Sequence, residues 1–340
     1  MKRMKIGKSN IEASVITLGG LSIGGGNWWK STEDATSIKT VHRALDLGVN
    51  LIDTAPIYGI GHSEEVIGKA IEGRRSEVVL STKATFDWDT GVGRYAYDVD
   101  GHKIFCDHSY QGIIKDCENS LKRLKTDYID IYYTHNPARD ETMYPVEETV
   151  RALMDLKKSG KIRAIGSSNV QPEHIQKYLA CGCEIDIIQR RYSMLDRAVE
   201  ANILSICKEN SMTLHCYSPI EKGLLTGAFT KDYKLEPGEG RSTNKWWLGA
   251  RFPLAIDFVD GLGDMAEKYH CRRSDLAIAF LRGQGDFINV ICGARRPEQI
   301  EADALGCDLV LSAEDLAELR RRLEALDEAV AQAEAAQNNQ

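Results

Sequence analysis

Eight short apolar runs, each followed by a helix-length stretch, set the strongest constraint on what this chain can become. They are 14–20 (SVITLGG), 50–55 (NLIDTA), 78–83 (VVLSTK), 129–135 (IDIYYTH), 162–169 (IRAIGSSN), 185–189 (IDIIQ), 213–219 (TLHCYSP) and 288–294 (INVICGA). Helical periods fall between them, at 35–48, 63–71, 110–124, 146–160, 172–180, 197–211 and 274–284. The runs are continuous rather than alternating, so both faces are buried, as in a parallel sheet covered by helices. Eight such units favour closure into an α/β (β/α)8 TIM barrel, and 340 residues fit a single barrel domain with insertions, which spans roughly 200 to over 400. The rival is an open doubly wound sheet, which carries a Gly-rich turn after its first strand. Gly19-Gly20 and Gly24-Gly25-Gly26 do not spell that fingerprint.

The barrel domain is expected over 1–330, with a small N-terminal hairpin under it, a C-terminal helix, and a frayed polar tail at 331–340. Ser31 with Asp34, and Ser312 with Asp315, have the spacing of helix caps. Two connections are long, 84–109 and 228–255, and both follow strand ends, so both should overhang the top face as substrate lids. A formal charge of −7, from 43 Lys+Arg against 50 Asp+Glu, argues against nucleic acid or a membrane surface held by bulk charge. The first residues lack an apolar stretch of signal-peptide length, and no run reaches the ~18 apolar residues of a membrane helix. Nine scattered cysteines without a CxxC pair suit reduced thiols in a cytoplasmic protein rather than zinc, so no metal is expected. No heptad seam is evident, and a monomer is the expectation.

Active sites of such barrels are built where strands end. The second run ends at Asp53 with Tyr58 in the following loop, the third ends at Lys83, and the fourth at His135. Three consecutive strands can bring these four together. A phenol with a pKa near 10 is a poor acid at neutral pH. An ammonium beside it lowers that value, a carboxylate holds the ammonium in place, and a histidine orients the same substrate oxygen. The set reads as a proton donor above a carbonyl, and such general acid help is worth roughly 10²–10⁴-fold. Singly, each has an ordinary structural explanation: a turn, a solvated strand end, a loop histidine, packing.

With those residues in view, the chain resembles the aldo-keto reductases, closest to the bacterial sugar- and inositol-associated members. The resemblance is carried by LIDTAPIYGIGHSEEVIGKAI (51–71), VVLSTKAT (78–85), SLKRLKTDYIDIYYTHNP (120–137), LKKSGKIRAIGSSN (156–169), YSPIEKGLLTG (217–227) and ICGARRPEQIEAD (291–303), in family order. It implies a barrel that binds a nicotinamide dinucleotide without a Gly-rich nucleotide fold. It implies Tyr58 as general acid/base, Lys83 as its partner, Asp53 as the lysine's partner and His135 as the orienting residue. Ser168, Asn169 and Gln189 match positions that hold the nicotinamide carboxamide, and Tyr192 the aromatic that stacks on its ring. Tyr217, Ser218, Pro219, Gly223 and Leu225 match a pyrophosphate clasp. Gly293, Ala294, Arg295, Gln299 and Asp303 match the region around the adenosine phosphate.

Arginines 295 and 296 before a helix that opens at Pro297 suit an extra phosphate, so NADP(H) is favoured over NAD(H). Departures from the family pattern are Cys292, Asn136, Arg191, and Ala302-Asp303 in place of Glu-Asn. The activity implied is hydride transfer between NADP(H) and a small aldehyde, ketone or sugar-like polyol, with Trp28, Trp29, Trp88 and Trp246 as candidate substrate-lining residues. The alternative is a regulatory subunit that binds NADP(H) with little turnover.

Overall fold

The computed structural model describes residues 1–25, 33–236 and 238–338. Eight parallel strands form a closed barrel: β1 (Ile16–Gly19), β2 (Leu51–Asp53), β3 (Val79–Ala84), β4 (Ile129–Thr134), β5 (Ile162–Ser168), β6 (Ile185–Arg191), β7 (Thr213–Tyr217) and β8 (Ile288–Gly293). Neighbours in the barrel are neighbours in the chain, and β8 closes on β1 through the Val290–Ile16 register. Each apolar run of the sequence is therefore one barrel strand. The helical periods become the outer ring, including Asp34–Asp46, His62–Ala70, Tyr110–Leu124, Val146–Lys158, Pro172–Ala180, Ile203–Glu209 and Arg273–Arg282.

Two apolar cores hold the barrel. The larger lies between the strands and the helices. A smaller one fills the barrel floor, where Ile6, Ile11 and Ala13 of the N-terminal hairpin meet Leu51, Val79, Ile131, Tyr133, Ala164 and Ile187. Each large aliphatic side chain buried there contributes roughly 1.5–3 kcal/mol. The hairpin is thus a plug that closes the end opposite the strand termini.

The long connections are more ordered than plain loops. Phe86–Asp87, Arg94–Val99 and His102–Cys106 form a three-stranded antiparallel sheet. Its hairpin turns at Asp100-Gly101, both at positive φ, the two-residue turn for which Asp-Gly is suited. The second connection contains short turns at Gly240–Thr243 and Lys245–Trp247 and runs into the helix Arg251–Asp260, after which comes the helix Gly263–Lys268. It is fastened by its aromatics: Phe229 and Trp247 meet edge-on at 4.8 Å, and the Trp247 indole donates to the Glu221 carbonyl at 3.0 Å. The final helix, Ala313–Asn338, starts at Ser312, whose hydroxyl accepts the Asp315 backbone N–H at 3.1 Å. It extends to Asn338, into the stretch expected to fray, where Glu334 is paired to Arg251 at 2.5 Å; Val330, just before that stretch, is buried. The candidate cap Ser31 lies outside the described residues.

Candidate active site

The four candidate catalytic residues meet at the C-terminal mouth of the barrel. Asp53 closes β2, Lys83 lies near the end of β3, His135 follows β4, and Tyr58 stands in the loop after β2. That loop turns at Gly59, which has φ +62°; a Cβ there would lie 2.2 Å from the Gly24 carbonyl oxygen, so no larger residue fits. Lys83 Nζ donates to Asp53 Oδ2 at 2.7 Å and to the Thr54 carbonyl at 2.7 Å, and lies 3.4 Å from the Tyr58 hydroxyl. Asp53 Oδ1 accepts from Ser81 at 2.8 Å and from Gln189 Nε2 at 3.0 Å. Lys83 is 0% exposed and Asp53 3%, so this is a desolvated ion pair with every polar contact filled.

Burial acts against the Lys83 ammonium, but Asp53, then Tyr58, carries its pKa above the ordinary value. The lysine is therefore charged. Tyr58 shows the reverse balance. Burial pushes its phenol above 10, and the pull of Lys83 offsets this only in part. The expected lowering by the ammonium is real but smaller than desolvation, so Tyr58 remains a protonated phenol. His135 sits edge-on to Tyr58 at 5.9 Å and to Phe86 at 5.0 Å. Burial and then Lys83 drive its pKa well below 6.5, so its ring is neutral. Its Nδ1 is buried without a hydrogen-bond partner among the described residues.

Ser168, Asn169 and Gln189 gather beside this group. Ser168 and Gln189 are in register across β5 and β6, and the Ser168 hydroxyl donates to Gln189 Oε1 at 3.3 Å. Asn169, at φ +59°, donates to the His135 carbonyl at 2.9 Å and accepts from the Tyr217 hydroxyl at 2.8 Å. Tyr217 is half-buried at the end of β7. Tyr192, by contrast, is fully buried, and its hydroxyl donates to Glu200 at 2.5 Å. Its ring has no face open to the mouth, so the stacking role expected of it is not available; the tyrosine placed at the mouth is Tyr217.

Beyond β7 the chain curls through Ser218, Glu221, Lys222 and Gly223, all at positive φ. The curl is anchored by the buried Glu221 carboxylate, which accepts from Asn244 at 2.6 Å and from Ser193 at 2.5 Å, and pairs with Arg191. Pro219 is buried, and the Leu225 side chain points into the core, leaving Leu225 only its backbone for a ligand. At β8, Gly293 faces open space and Ala294 is buried. The Arg295 backbone N–H donates to Gln299 Oε1 at 2.7 Å. Asp303, expected at the cofactor, is nearly buried beside Arg272 at 3.4 Å, and burial raises its pKa to about 6. It ties two helices together rather than facing a ligand.

Of the four tryptophans expected to line a substrate pocket, Trp88 packs, as Tyr58 does, against the cluster of Ala55, Ile57, Phe86, Val99 and Ile104, with Arg123 over its ring at 5.6 Å. Trp246 is 2% exposed in the main core, under Arg251. Trp28 and Trp29 lie outside the described residues. Phe86, and Tyr97 of the long connection expected to form a lid, complete the aromatic wall: their rings meet edge-on at 6.0 Å within the cluster that includes Tyr58. Among the described residues no group of three or more His, Cys, Asp or Glu is placed to hold a metal, and no helix is long and apolar enough to cross a membrane.

Comparison with known proteins agrees with this geometry. The family model described as "Aldo/keto reductase family" matches residues 15–324. The chain is 38% identical over 329 residues, 96% of its own length and 100% of the relative's, to the NADH-specific methylglyoxal reductase of Escherichia coli (strain K12). Among solved structures, the glycerol dehydrogenase AKR11B4 from Gluconobacter oxydans superposes with a TM-score of 0.84 at 29% identity, covering 97% of this chain and 95% of that one. An aldo/keto reductase from Klebsiella pneumoniae in complex with NADP and acetate gives 0.71 at 27% identity, covering 94% of each.

Proposed function

The chain belongs to the aldo/keto reductase family, and from that premise we propose that it transfers a hydride between NADP(H) and a small aldehyde, ketone or sugar-like polyol, with Tyr58 as general acid/base. The observation that carries this reading is the buried Asp53–Lys83 pair with a protonated Tyr58 phenol 3.4 Å from the ammonium.

The residues present fit a nicotinamide dinucleotide. Both amide hydrogens of Gln189 are engaged, by Asp53 and by His215 Nδ1 at 3.2 Å. That leaves Oε1, beside Ser168, as an acceptor for a carboxamide N–H, with Asn169 adjacent and the Tyr217 ring at the mouth. The curl at 218–223 and the backbone at 293–295 would hold the phosphates. When bound, the reduced nicotinamide supplies the hydride. The protein supplies the rest. Neutral His135 and the Tyr58 hydroxyl hold the substrate carbonyl oxygen, Tyr58 gives it a proton as negative charge develops, and the Lys83 ammonium stabilises the phenolate left behind. Asp53 keeps that ammonium charged and fixed. Phe86, Trp88 and Tyr97 form an aromatic wall suited to excluding water around a small carbonyl compound. The nine free cysteines support a reducing, cytoplasmic setting.

The preference for NADP(H) rests on Arg295 and Arg296 at the start of helix Pro297–Gly306. A preference for NADH is favoured instead by the Escherichia coli relative, which is named NADH-specific. Both readings are tested by following nicotinamide absorbance with NADPH and NADH in parallel over methylglyoxal, simple aldehydes and ketones, aldoses and inosose-type ketones. Turnover is expected, with the higher kcat/KM for NADPH. The reverse ratio overturns the cofactor preference alone, cofactor binding without turnover favours the regulatory reading, and absence of nicotinamide binding by folded protein overturns the function.

A further inference from the structure

Beneath the Asp53–Lys83 pair a file of polar side chains crosses the barrel interior, and its central member, His215, has no part in the chemistry above. Register sets Gln189 beside His215 across β6 and β7, and His215 beside Asn289 across β7 and β8. His215 Nδ1 faces Gln189 Nε2 at 3.2 Å and the Tyr133 hydroxyl at 2.9 Å. Its Nε2 lies 2.9 Å from Thr17 Oγ1, which lies 2.6 Å from Asn289 Oδ1. Asn289 Nδ2 ends the file on the Ser14 carbonyl at 2.7 Å. His215, Tyr133, Thr17 and Asn289 are each 0% exposed.

This geometry admits one arrangement of protons. The Ser14 carbonyl only accepts, so the Asn289 amide turns its nitrogen there and its oxygen to Thr17. That oxygen carries no hydrogen, so Thr17 donates its single proton to it and can only accept from His215. His215 therefore carries its hydrogen on Nε2 and presents a lone pair at Nδ1. Tyr133 and Gln189 both donate to that lone pair. Gln189 cannot be reversed, since its oxygen would then face a carboxylate oxygen of Asp53. An imidazolium would set an N–H against two donors, and burial in addition drives the His215 pKa down to about 4, with Lys83 opposing the charge and Asp53 favouring it.

We propose that His215 is a positioning residue: by accepting one amide hydrogen of Gln189 it fixes the other on Asp53 and turns Gln189 Oε1 toward the nicotinamide carboxamide, a role that rests on the cofactor reading above. The histidine touches neither cofactor nor substrate. It acts together with Asp53: the two acceptors face the same amide nitrogen and oppose the alternative orientation, in which an N–H rather than an acceptor would face the cofactor. Removing Nδ1 leaves Asp53 alone to oppose that rotation and leaves two buried donors unpaired, an effect on the order of tenfold in any equilibrium that needs the native orientation.

Two measurements test this. The first uses the wild-type protein alone: nitrogen-15 spectra of the histidine side chains at neutral pH, with the His215 signals assigned by their loss in His215→Asn. The neutral ring with hydrogen on Nε2 is expected; an imidazolium, or hydrogen on Nδ1, overturns the proposal. The second reads binding by tryptophan fluorescence, comparing the nicotinamide cofactor with its 3-acetylpyridine analogue, whose acetyl group offers no amide N–H to Gln189. Wild type should prefer the nicotinamide form. His215→Leu should lose about tenfold in affinity for that form and little for the analogue, so the preference collapses. His215→Asn, whose Oδ1 can stand in for Nδ1, should keep most of it. Equal loss for both cofactors, or none, in a folded variant means that His215 is merely structural. If the leucine variant fails to fold, the tautomer and the asparagine variant still decide. Should wild type bind neither cofactor, the cofactor reading fails, and with it the role of His215, while the spectra still report the proton arrangement.

Discussion

Replacing Asp53 by Asn removes one charge and little else, and the site makes its consequence calculable. Lys83 is 0% exposed and its ammonium lies 2.7 Å from Asp53 Oδ2. Removing one partner of a buried pair leaves an uncompensated charge and costs about 3–5 kcal/mol. The cost should depend on pH in a particular way. In wild type, Asp53 helps hold the Lys83 pKa above its ordinary value. That stabilisation is complete below about pH 10.4 and is lost as pH rises through the folded-state value. In Asp53→Asn, burial dominates and the lysine pKa falls below its ordinary value. The folded variant then sheds a proton that the unfolded chain keeps, so its stability rises with pH toward 10. Urea unfolding of both proteins between pH 6 and 10 should show a deficit of about 3–5 kcal/mol that shrinks on the alkaline side. Carbonyl reduction should fall by about 10²–10⁴, since the Lys83 ammonium beside Tyr58 is no longer held in place and kept charged by a carboxylate. A deficit below about 1 kcal/mol that does not change with pH would refute the buried-pair argument.

Two further outcomes follow from the same contacts. A Cβ at Gly166 would lie 2.3 Å from the Tyr133 ring, so Gly166→Ala must displace the ring that reaches His215; a loss of about 1–3 kcal/mol is expected in urea unfolding, and an unchanged midpoint would contradict it. Because burial holds the Tyr58 phenol above 10, the proton donor persists to high pH: kcat for reduction should stay level through neutral pH and fall only above about pH 10, while oxidation of the alcohol, which needs the phenolate, should rise with pH. A reduction limb that falls below pH 8 would show that Tyr58 is acidified instead.

The barrel was legible because a continuous apolar run can be satisfied only by burial on both faces, and eight of them leave few other architectures. The meeting of the four candidate residues was legible because Asp53, Lys83 and His135 stand at or beside strand ends and Tyr58 in the loop that follows one of them. The enclosure of Tyr192 was not legible: YS occurs at 192–193 and at 217–218, and only packing tells which ring is enclosed and which is half-buried at a strand end. Trp246 was misread for a related reason: a tryptophan in a long connection says nothing of which side it packs on, and here the helix Arg251–Asp260 provides a core to enter. The sheet over the mouth had a signal that went unused, the Asp100-Gly101 pair between two β-rich segments. His215 had one as well, a histidine inside an apolar strand two positions before Tyr217, hence on the same side. That its proton is fixed by four other strands could not be read from one.

The central claim, that Tyr58 gives the proton during hydride transfer, is tested most directly by Tyr58→Phe. Turnover of the best carbonyl substrate and cofactor affinity should be measured on the same sample. The account predicts a fall in kcat of at least about 10²-fold with cofactor affinity within about twofold of wild type. A phenylalanine variant that turns over at a rate near wild type would contradict it.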